Sequence, residues 1–339
     1  MSTFAYIRGT GAALPDGRIT NAELAARFDV PESWILERTG IIERRRIAPG
    51  QTASELGAKA GEQAIQAAQL SAGQIDMVIV ATGTPDQPQP ATAAFVQHRL
   101  GLACGGFDIS GACAGFVYAV SVAAALVRGM AHRNVLVIGV DVMSSIVDPQ
   151  NRATAVIFGD GAGAVVVSAA DSDEPIGVLS DSSALDGGAA DILQVSAGGS
   201  TSPATPDTIR HGDHYLKMNG KAVLHRAVDA LASSSRDALE RCGLTPADVD
   251  WFVPHQSNVR IIFAAAEKLG VPFERFMVNI DRVGNMSAAS VPVALDELVR
   301  RGDLDTGDLV VLSGYGAGMT QAAVAIRWLR APVSEVNNV

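Results

Sequence analysis

Cysteine is scarce in this sequence: three residues in 339, at Cys104, Cys113 and Cys242. They are odd in number and widely spaced, with no CxxC pair and no paired histidines nearby. That excludes a disulfide framework and a thiolate zinc site and leaves each to be judged as a single thiol. Long apolar runs are also missing. The most apolar stretch, Ala114 to Val127, has about 14 residues before Arg128, short of the roughly 20 a membrane helix needs, and it reads as a buried helix. The N-terminal MSTFAYIRGTGAALP has neither the charged region nor the apolar core of a secretory signal, so a cytoplasmic chain is expected. Positive charge is the minority sign. Lys and Arg number 26 against 36 Asp and Glu, a formal charge of −10, which argues against a nucleic-acid surface. A local basic cluster, Arg44-Arg45-Arg46, reads either as a solvated turn or as a ligand for a phosphate-bearing substrate.

What is present is an apolar, glycine-rich globular composition: 48% hydrophobic, 18% charged and 34 Gly. Short β-branched runs, Met77 to Ala81, Val135 to Val140 and Leu309 to Leu312, alternate with longer helical patterns, so the fold is α/β and layered. Thr20 with Glu23, Thr52 with Glu55 and Ser71 with Gln74 fit the capping box that opens a helix.

The chain also reads against itself. Ala64 to Ala81 matches Ala238 to His255 at an offset of 174, each a helix, a capped turn, an Asp and a strand. Phe107 to Gly139 matches Val278 to Gly314, each an extended segment, a small-residue turn, a helix ending in Arg-Gly and an apolar strand. Two copies of one unit, residues 1–174 and 175–339, account for the length without a linker; shared α/β grammar is the other reading. Pseudo-symmetric halves would aim equivalent turns at one central cleft. Cys113 lies in one such turn, Asn285 lies in the other, and His255 ends a strand of the second half.

Cys113 sits in Ile109-Ser-Gly-Ala-Cys-Ala-Gly-Phe116, at the start of the apolar helix. Backbone N–H groups and the helix dipole there favour a thiolate, although a lone Cys among small residues is also an ordinary buried hydrophobe. His255, in Val253-Pro-His-Gln-Ser-Asn258, and Asn285, in Val283-Gly-Asn-Met-Ser-Ala-Ala-Ser290, are by themselves a strand-end histidine and a turn residue. The stretch Gly159 to Gly163 is no dinucleotide loop, because a Val-rich strand follows it directly where a helix would be needed.

Read together, the motifs resemble the β-ketoacyl-acyl-carrier-protein synthase III family. The matching pieces, in order, are Ser33-Trp-Ile-Leu-Glu-Arg-Thr-Gly-Ile41, Cys113-Ala-Gly-Phe116, Phe158-Gly-Asp-Gly-Ala-Gly163, Pro254-His-Gln-Ser-Asn258, Gly284-Asn-Met-Ser-Ala-Ala-Ser290 and Gly314-Tyr-Gly-Ala-Gly318. The resemblance implies a duplicated thiolase-like α/β/α/β/α fold, a homodimer, and a catalytic set of Cys113, His255 and Asn285. It implies an acyl-CoA primer loaded on Cys113, then decarboxylative condensation with malonyl-acyl carrier protein. Coenzyme A is a substrate there, and no cofactor or metal is called for. A thiolate nucleophile splits the condensation into two steps, and neutral donors suit the enolate left by decarboxylation. The same resemblance places the oxyanion donors at the backbone N–H of Cys113 and Ala317. It places coenzyme A on Trp34, Arg38, Arg152 and Asn258, and the acidic carrier protein on Arg260 and Lys268, which otherwise read as exposed helix charges.

Several positions depart from that pattern. Gln89 replaces the aromatic residue that in many members crosses the dimer to close the primer pocket, Met286 follows Asn285 where Thr is common, and Ala317 stands within the final glycine motif. A primer longer or more polar than acetyl is therefore expected. The alternative function is a secondary-metabolism relative that passes its acyl group to an amine, hydroxyl or ketoacyl acceptor. Branches with a glutamate base or a second catalytic cysteine find no such residue at Ala81 to Gly83 or at residues 314–320.

Overall fold

The computed structural model describes residues 2–330. The three expected capping boxes all form, each Thr or Ser accepting from the backbone of the third helical residue, whose side chain reaches back to the cap. The main strands are β1 (Ser2–Ala13), β2 (Met77–Ala81), β3 (Gly105–Ile109), β4 (Asn134–Val142), β5 (Asp160–Ser172), β6 (Gly177–Leu185), β7 (Trp251–Pro254), β8 (Leu309–Gly316) and β9 (Thr320–Arg327). They make two sheets, β1-β5-β4-β2-β3 and β7-β8-β9-β6.

The second sheet repeats the first. β2 runs parallel to β4 as β7 does to β8, and the β4–β5, β5–β1, β8–β9 and β9–β6 pairs are antiparallel. Where β3 flanks β2, a parallel bridge joins Phe276 to Phe252 of β7. The correspondence extends to single hydrogen bonds. The box of Ser71 with Gln74 recurs as Thr245 with Asp248. The Asp76 carboxylate accepts from Asn134 N at 2.9 Å, and that of Asp250 from Leu309 N at 2.8 Å.

Six helices complete the layers: α1 (Ala53–Ala67), α2 (Thr92–Arg99), α3 (Gly115–Arg128), α4 (Gly220–Arg241), α5 (Val259–Leu269) and α6 (Ser290–Arg301). α3 and α6 lie between the sheets, where Val117, Val120, Leu295 and Leu298 pack against Ile79 and Val165 of one sheet and Val253 and Val324 of the other. A helix covered on both sides must be apolar nearly all round, which explains the composition of α3. α1 covers the outer face of the first sheet through Leu56, Ala60 and Ala64, and α4 with α5 covers that of the second through Leu239 and Ile262. The order is α/β/α/β/α. No helix among the described residues is long and apolar enough to cross a membrane.

Two residues of the basic cluster are structural. Arg44 is 1% exposed and donates to Asn21 Oδ1, Ile19 O and Val156 O, while Arg45 donates to Pro15 O. Burial lowers the Arg44 guanidinium to about 10. These donors already have carbonyl and amide partners, so the phosphate-ligand reading of Arg44 and Arg45 is set aside. Gly159 to Gly163 runs into β5, and Asp160 accepts from Ile47 N and Ser144 N, tying neighbouring loops to the strand.

Candidate active site

Two turns of the same construction meet between the sheets. Ala112 (φ 47°) opens the 3₁₀ turn Ala112–Ala114 ahead of α3, and Ser287 (φ 49°) opens Ser287–Ala289 ahead of α6. A left-handed residue other than glycine costs about 1–3 kcal/mol, so its recurrence at matching positions marks a backbone the surroundings enforce. The buried Asp141, at the end of β4, supplies one constraint. Its Oδ1 accepts from Thr82 Oγ1 (3.1 Å), Gly83 N (2.8 Å) and Thr84 Oγ1 (2.9 Å), and its Oδ2 accepts from Ala288 N (2.9 Å) in the opposite half.

The first turn presents Cys113, which is buried and accepts a 3.3 Å hydrogen bond on Sγ from Ser287 Oγ. Burial pushes its thiol up to about 12. The resting group is thus a thiol, and desolvation overrides the thiolate preference that a helix start alone confers. Gly316 and Gly314 let the glycine-rich strand end lie directly on this turn. A Cβ on Gly316 would come within 2.5 Å of Cys113 N, and one on Gly314 within 3.1 Å of Ala114 Cα.

His255 follows β7, held by its own N–H to Ser313 O at 2.7 Å and packed edge-on against Tyr315 at 5.4 Å between ring centroids. It is 1% exposed, and burial drives its pKa down to about 3, so the imidazole is neutral. Nδ1 is buried without a hydrogen-bond partner. A buried lone pair is cheaper to leave unpaired than a buried N–H, which puts the proton on Nε2. Asn285 is fixed from both sides of its backbone, N–H to Ile157 O (3.0 Å) and C=O from Gly159 N (2.9 Å). Its Oδ1 accepts from Ser287 N at 2.9 Å, leaving the NH₂ group as a donor.

Cys113, His255 and Asn285 line one cavity of about 130 Å³, together with apolar Phe158, Leu193, Met218, Val223 and Ile261. At its outer side Asn258 donates to Arg38 O at 2.8 Å and caps α5 through Arg260 N. The helix Glu32–Thr39 carries Trp34, whose indole has Arg38 Cζ at 4.5 Å and Arg152 Cζ at 4.7 Å from its centroid. The four residues read from the sequence as a coenzyme A site are therefore brought together beside the cavity. Arg260 is exposed on the first turn of α5, and Lys268, near its end, pairs with Asp229. Ala317 follows Gly316 without a left-handed φ, the condition for Ala to stand there. Gln89 is exposed and lines no part of the cavity in its own chain; its carbonyl accepts from Gln87 Nε2.

Residues 107–187 match the family model 3-oxoacyl-[acyl-carrier-protein] synthase III, and residues 239–328 match the model of its C-terminal part. A β-ketoacyl-[acyl-carrier-protein] synthase III of Roseiflexus castenholzii is 47% identical over 329 residues, 97% of this chain and 99% of that one. The chain belongs to the 3-oxoacyl-[acyl-carrier-protein] synthase III family. As a member it is a condensing enzyme, an acyltransferase with the thiolase-like fold. The crystal structure of 3-oxoacyl-(acyl carrier protein) synthase III from Pseudomonas aeruginosa is similar at a TM-score of 0.89 and 38% identity, covering 97% of this chain and all of that one (100%). The priming β-ketosynthase of the R1128 polyketide pathway is similar at 0.88 and 36%, covering 97% of each.

Four polar residues of this synthase site escaped the sequence reading: Asp141, Ser257, Ser287 and Tyr315. Ser257, Ser287 and Tyr315 lay inside motifs already singled out. Asp141 carried no local signal, because its partners are 57 to 147 residues away.

Proposed function

We propose that Cys113 carries the acyl group and that His255 and Asn285 drive decarboxylation of a malonyl thioester on an acyl carrier protein, giving a β-ketoacyl product. The observation that carries this reading is the convergence of one buried thiol and two neutral donors on a single cavity. In the first half-reaction the Cys113 sulfur bonds to the acyl carbonyl, the carbon–sulfur bond to coenzyme A breaks, and the thiol proton leaves with the departing sulfur. Ser287 Oγ–H stabilises the negative charge that develops on Cys113 Sγ.

In the second, the bond between the malonyl carboxyl and its methylene breaks and carbon dioxide departs. The electron pair becomes an enolate whose oxygen takes hydrogen bonds from His255 Nε2 and Asn285 Nδ2. Decarboxylation moves a negative charge without creating one, so neutral, pre-aimed donors are sufficient and an imidazolium is not needed. The enolate carbon bonds to the acyl carbonyl while the N–H groups of Cys113 and Ala317 hold the oxyanion; as that intermediate collapses, the carbon–sulfur bond to Cys113 breaks and the released thiolate takes a proton from solvent. No step calls for a resident cofactor or metal.

Trp34, Arg38, Arg152 and Asn258 are proposed to seat coenzyme A by indole stacking and guanidinium–phosphate bonds. Arg260, next to this entrance, and Lys268 are proposed to meet the acidic carrier protein. A homodimer is proposed through β3, the outermost strand of its sheet, whose Phe107 is 37% exposed; an unpaired edge of this kind invites a second copy. Thr92 N and Ala93 N donate to Asp108 of β3, which ties the Gln89 loop to that edge and supports its reaching the partner's primer pocket. The two units are proposed to divide at residue 174, between β5 and β6, and the cytoplasm is the proposed compartment.

Intact-mass measurement with an acyl-CoA panel, followed by malonyl-acyl carrier protein and carbon dioxide detection, reads both half-reactions. Cys113→Ala is expected to abolish the acyl adduct. His255→Ala and Asn285→Ala are expected to keep it while lowering decarboxylation by about 10²-fold. Acyl mass persisting in Cys113→Ala, or normal carbon dioxide release in both other variants, overturns the assignment.

A further inference from the structure

The cavity contains one pair of groups that the reaction above does not use. Ser257 Oγ and Tyr315 Oη hydrogen-bond to each other, and both side chains line the cavity. Two hydroxyls bring two protons, and their mutual bond uses one. The hydroxyl that accepts keeps its own O–H, which makes no second hydrogen bond to a described residue. Burial raises the Tyr315 phenol above its ordinary range, so it stays protonated.

That unspent donor has to be weighed against what enters. The malonyl unit brings an ionised carboxylate into a cavity whose lining contains no charged side chain. His255 is neutral, and its Nε2–H and the Asn285 NH₂ are engaged by the thioester oxygen. Asn258 has its amide turned to Arg38 O and the α5 cap. A carboxylate leaving water needs a donor, because burying it unpaired is far costlier than burying a neutral group.

We propose that the Ser257–Tyr315 hydroxyl pair is the recognition site for the carboxylate of the incoming malonyl-type extender, and so a specificity determinant separating carboxylated from uncarboxylated thioesters. This rests on the decarboxylating reading of the site. Ser257 stands two residues after His255 and one before Asn258, on the path from the Trp34 cluster to Cys113. A hydroxyl bond to the carboxylate exists only before carbon dioxide leaves. It stabilises bound substrate at least as much as the transition state, so its loss raises KM and leaves kcat unchanged or higher.

The test is the dimer-competent full chain with Tyr315→Phe and Ser257→Ala, assayed separately for acylation by acyl-CoA and for carbon dioxide release from malonyl-acyl carrier protein by the acylated enzyme. Each variant removes a single oxygen and leaves the ring or the methylene in place. The expected result is a KM for the malonyl substrate raised about tenfold, from the lost charge-assisted bond, with kcat unchanged or higher. An unchanged malonyl KM overturns the proposal, and so does an equal rise in KM for the acyl-CoA primer, which would assign the pair to the thioester arm common to both substrates. A fall in kcat at constant KM also overturns it, by making the pair part of the chemistry. If wild type releases no carbon dioxide from the malonyl substrate, the decarboxylating reading itself fails, an outcome visible before any variant is compared.

Discussion

Ser287 Oγ lies 3.3 Å from Cys113 Sγ and donates a hydrogen bond to it, one residue from each of the two matching turns. Burial of the thiol disfavours its charged form, and the Asp141 carboxylate opposes that form further. Removing the hydroxyl therefore leaves developing negative charge on sulfur with less support. Ser287→Ala and Ser287→Gly are expected to slow Cys113 acylation about five- to tenfold, on the order of 1 kcal/mol. Glycine also relieves the left-handed φ, so similar rates in both variants would assign the effect to the hydroxyl. Full acylation rates in both would show that Ser287 only shapes the backbone.

A second expectation concerns Gly316. Its φ of −163° is open to any residue, so the constraint is space: a Cβ would sit 2.5 Å from Cys113 N and 3.0 Å from Ala112 Cβ. Backbone cannot step aside as a flexible side chain can. Gly316→Ala should cost about 1–3 kcal/mol in urea unfolding and slow acylation by more than tenfold through displacement of Cys113. Wild-type stability together with wild-type acylation would mean the strand end is looser than the geometry implies.

Proton linkage offers a third check, independent of turnover. His255 is held near 3 in the folded chain and returns to its ordinary value of about 6.5 on unfolding. Between those values the unfolded state binds the extra proton. Stability from this group is thus fully present above about pH 6.5 and is lost as pH falls toward 3. Between pH 7 and about pH 5.5, wild type should lose on the order of 1 kcal/mol more than His255→Gln in urea unfolding. Equal losses would place the folded pKa near the unperturbed one. The same shift predicts no acid limb near pH 6.5 assignable to His255 in decarboxylation.

The primer pocket is the fourth case, and it depends on a second copy. Gln89 is exposed in its own chain, on a loop tied to the free edge of β3 through Asp108. If it closes the partner's pocket, it is smaller than an aromatic ring and needs a hydrogen-bond partner once buried. Primers longer than acetyl should load, with tolerance for a polar distal group, each buried methylene adding about 0.8 kcal/mol. Gln89→Phe should shift loading toward short primers. Identical acyl-CoA profiles for wild type and Gln89→Phe would place the end of the pocket on other residues.

Much of this enzyme was legible locally. Capping boxes, apolar strand runs and the apolar helix after Cys113 are short-range features, set by side chains within a few positions of one another. The motifs around Cys113, His255 and Asn285 carried the family, because a shared chemistry demands those residue types in that order. The 174-residue offset pointed to two copies of one unit, and strands from the two stretches it relates, Met77–Ala81 and Trp251–Pro254, sit in different sheets.

What only the tertiary structure decided are properties that arise when distant segments meet. The fate of Arg44 turned on Asn21 and Val156, which convert a basic cluster into a buried strut. The protonation of Cys113 turned on burial, because desolvation outweighs the helix start that the sequence displays. Asp141 stitching one half to Ala288 of the other, Ser287 on the sulfur and the Ser257–Tyr315 pair join residues 58 to 174 positions apart. No periodicity or spacing encodes such pairs. They exist only because packing the two sheets around α3 and α6 brings their loops to one point and takes water away from it.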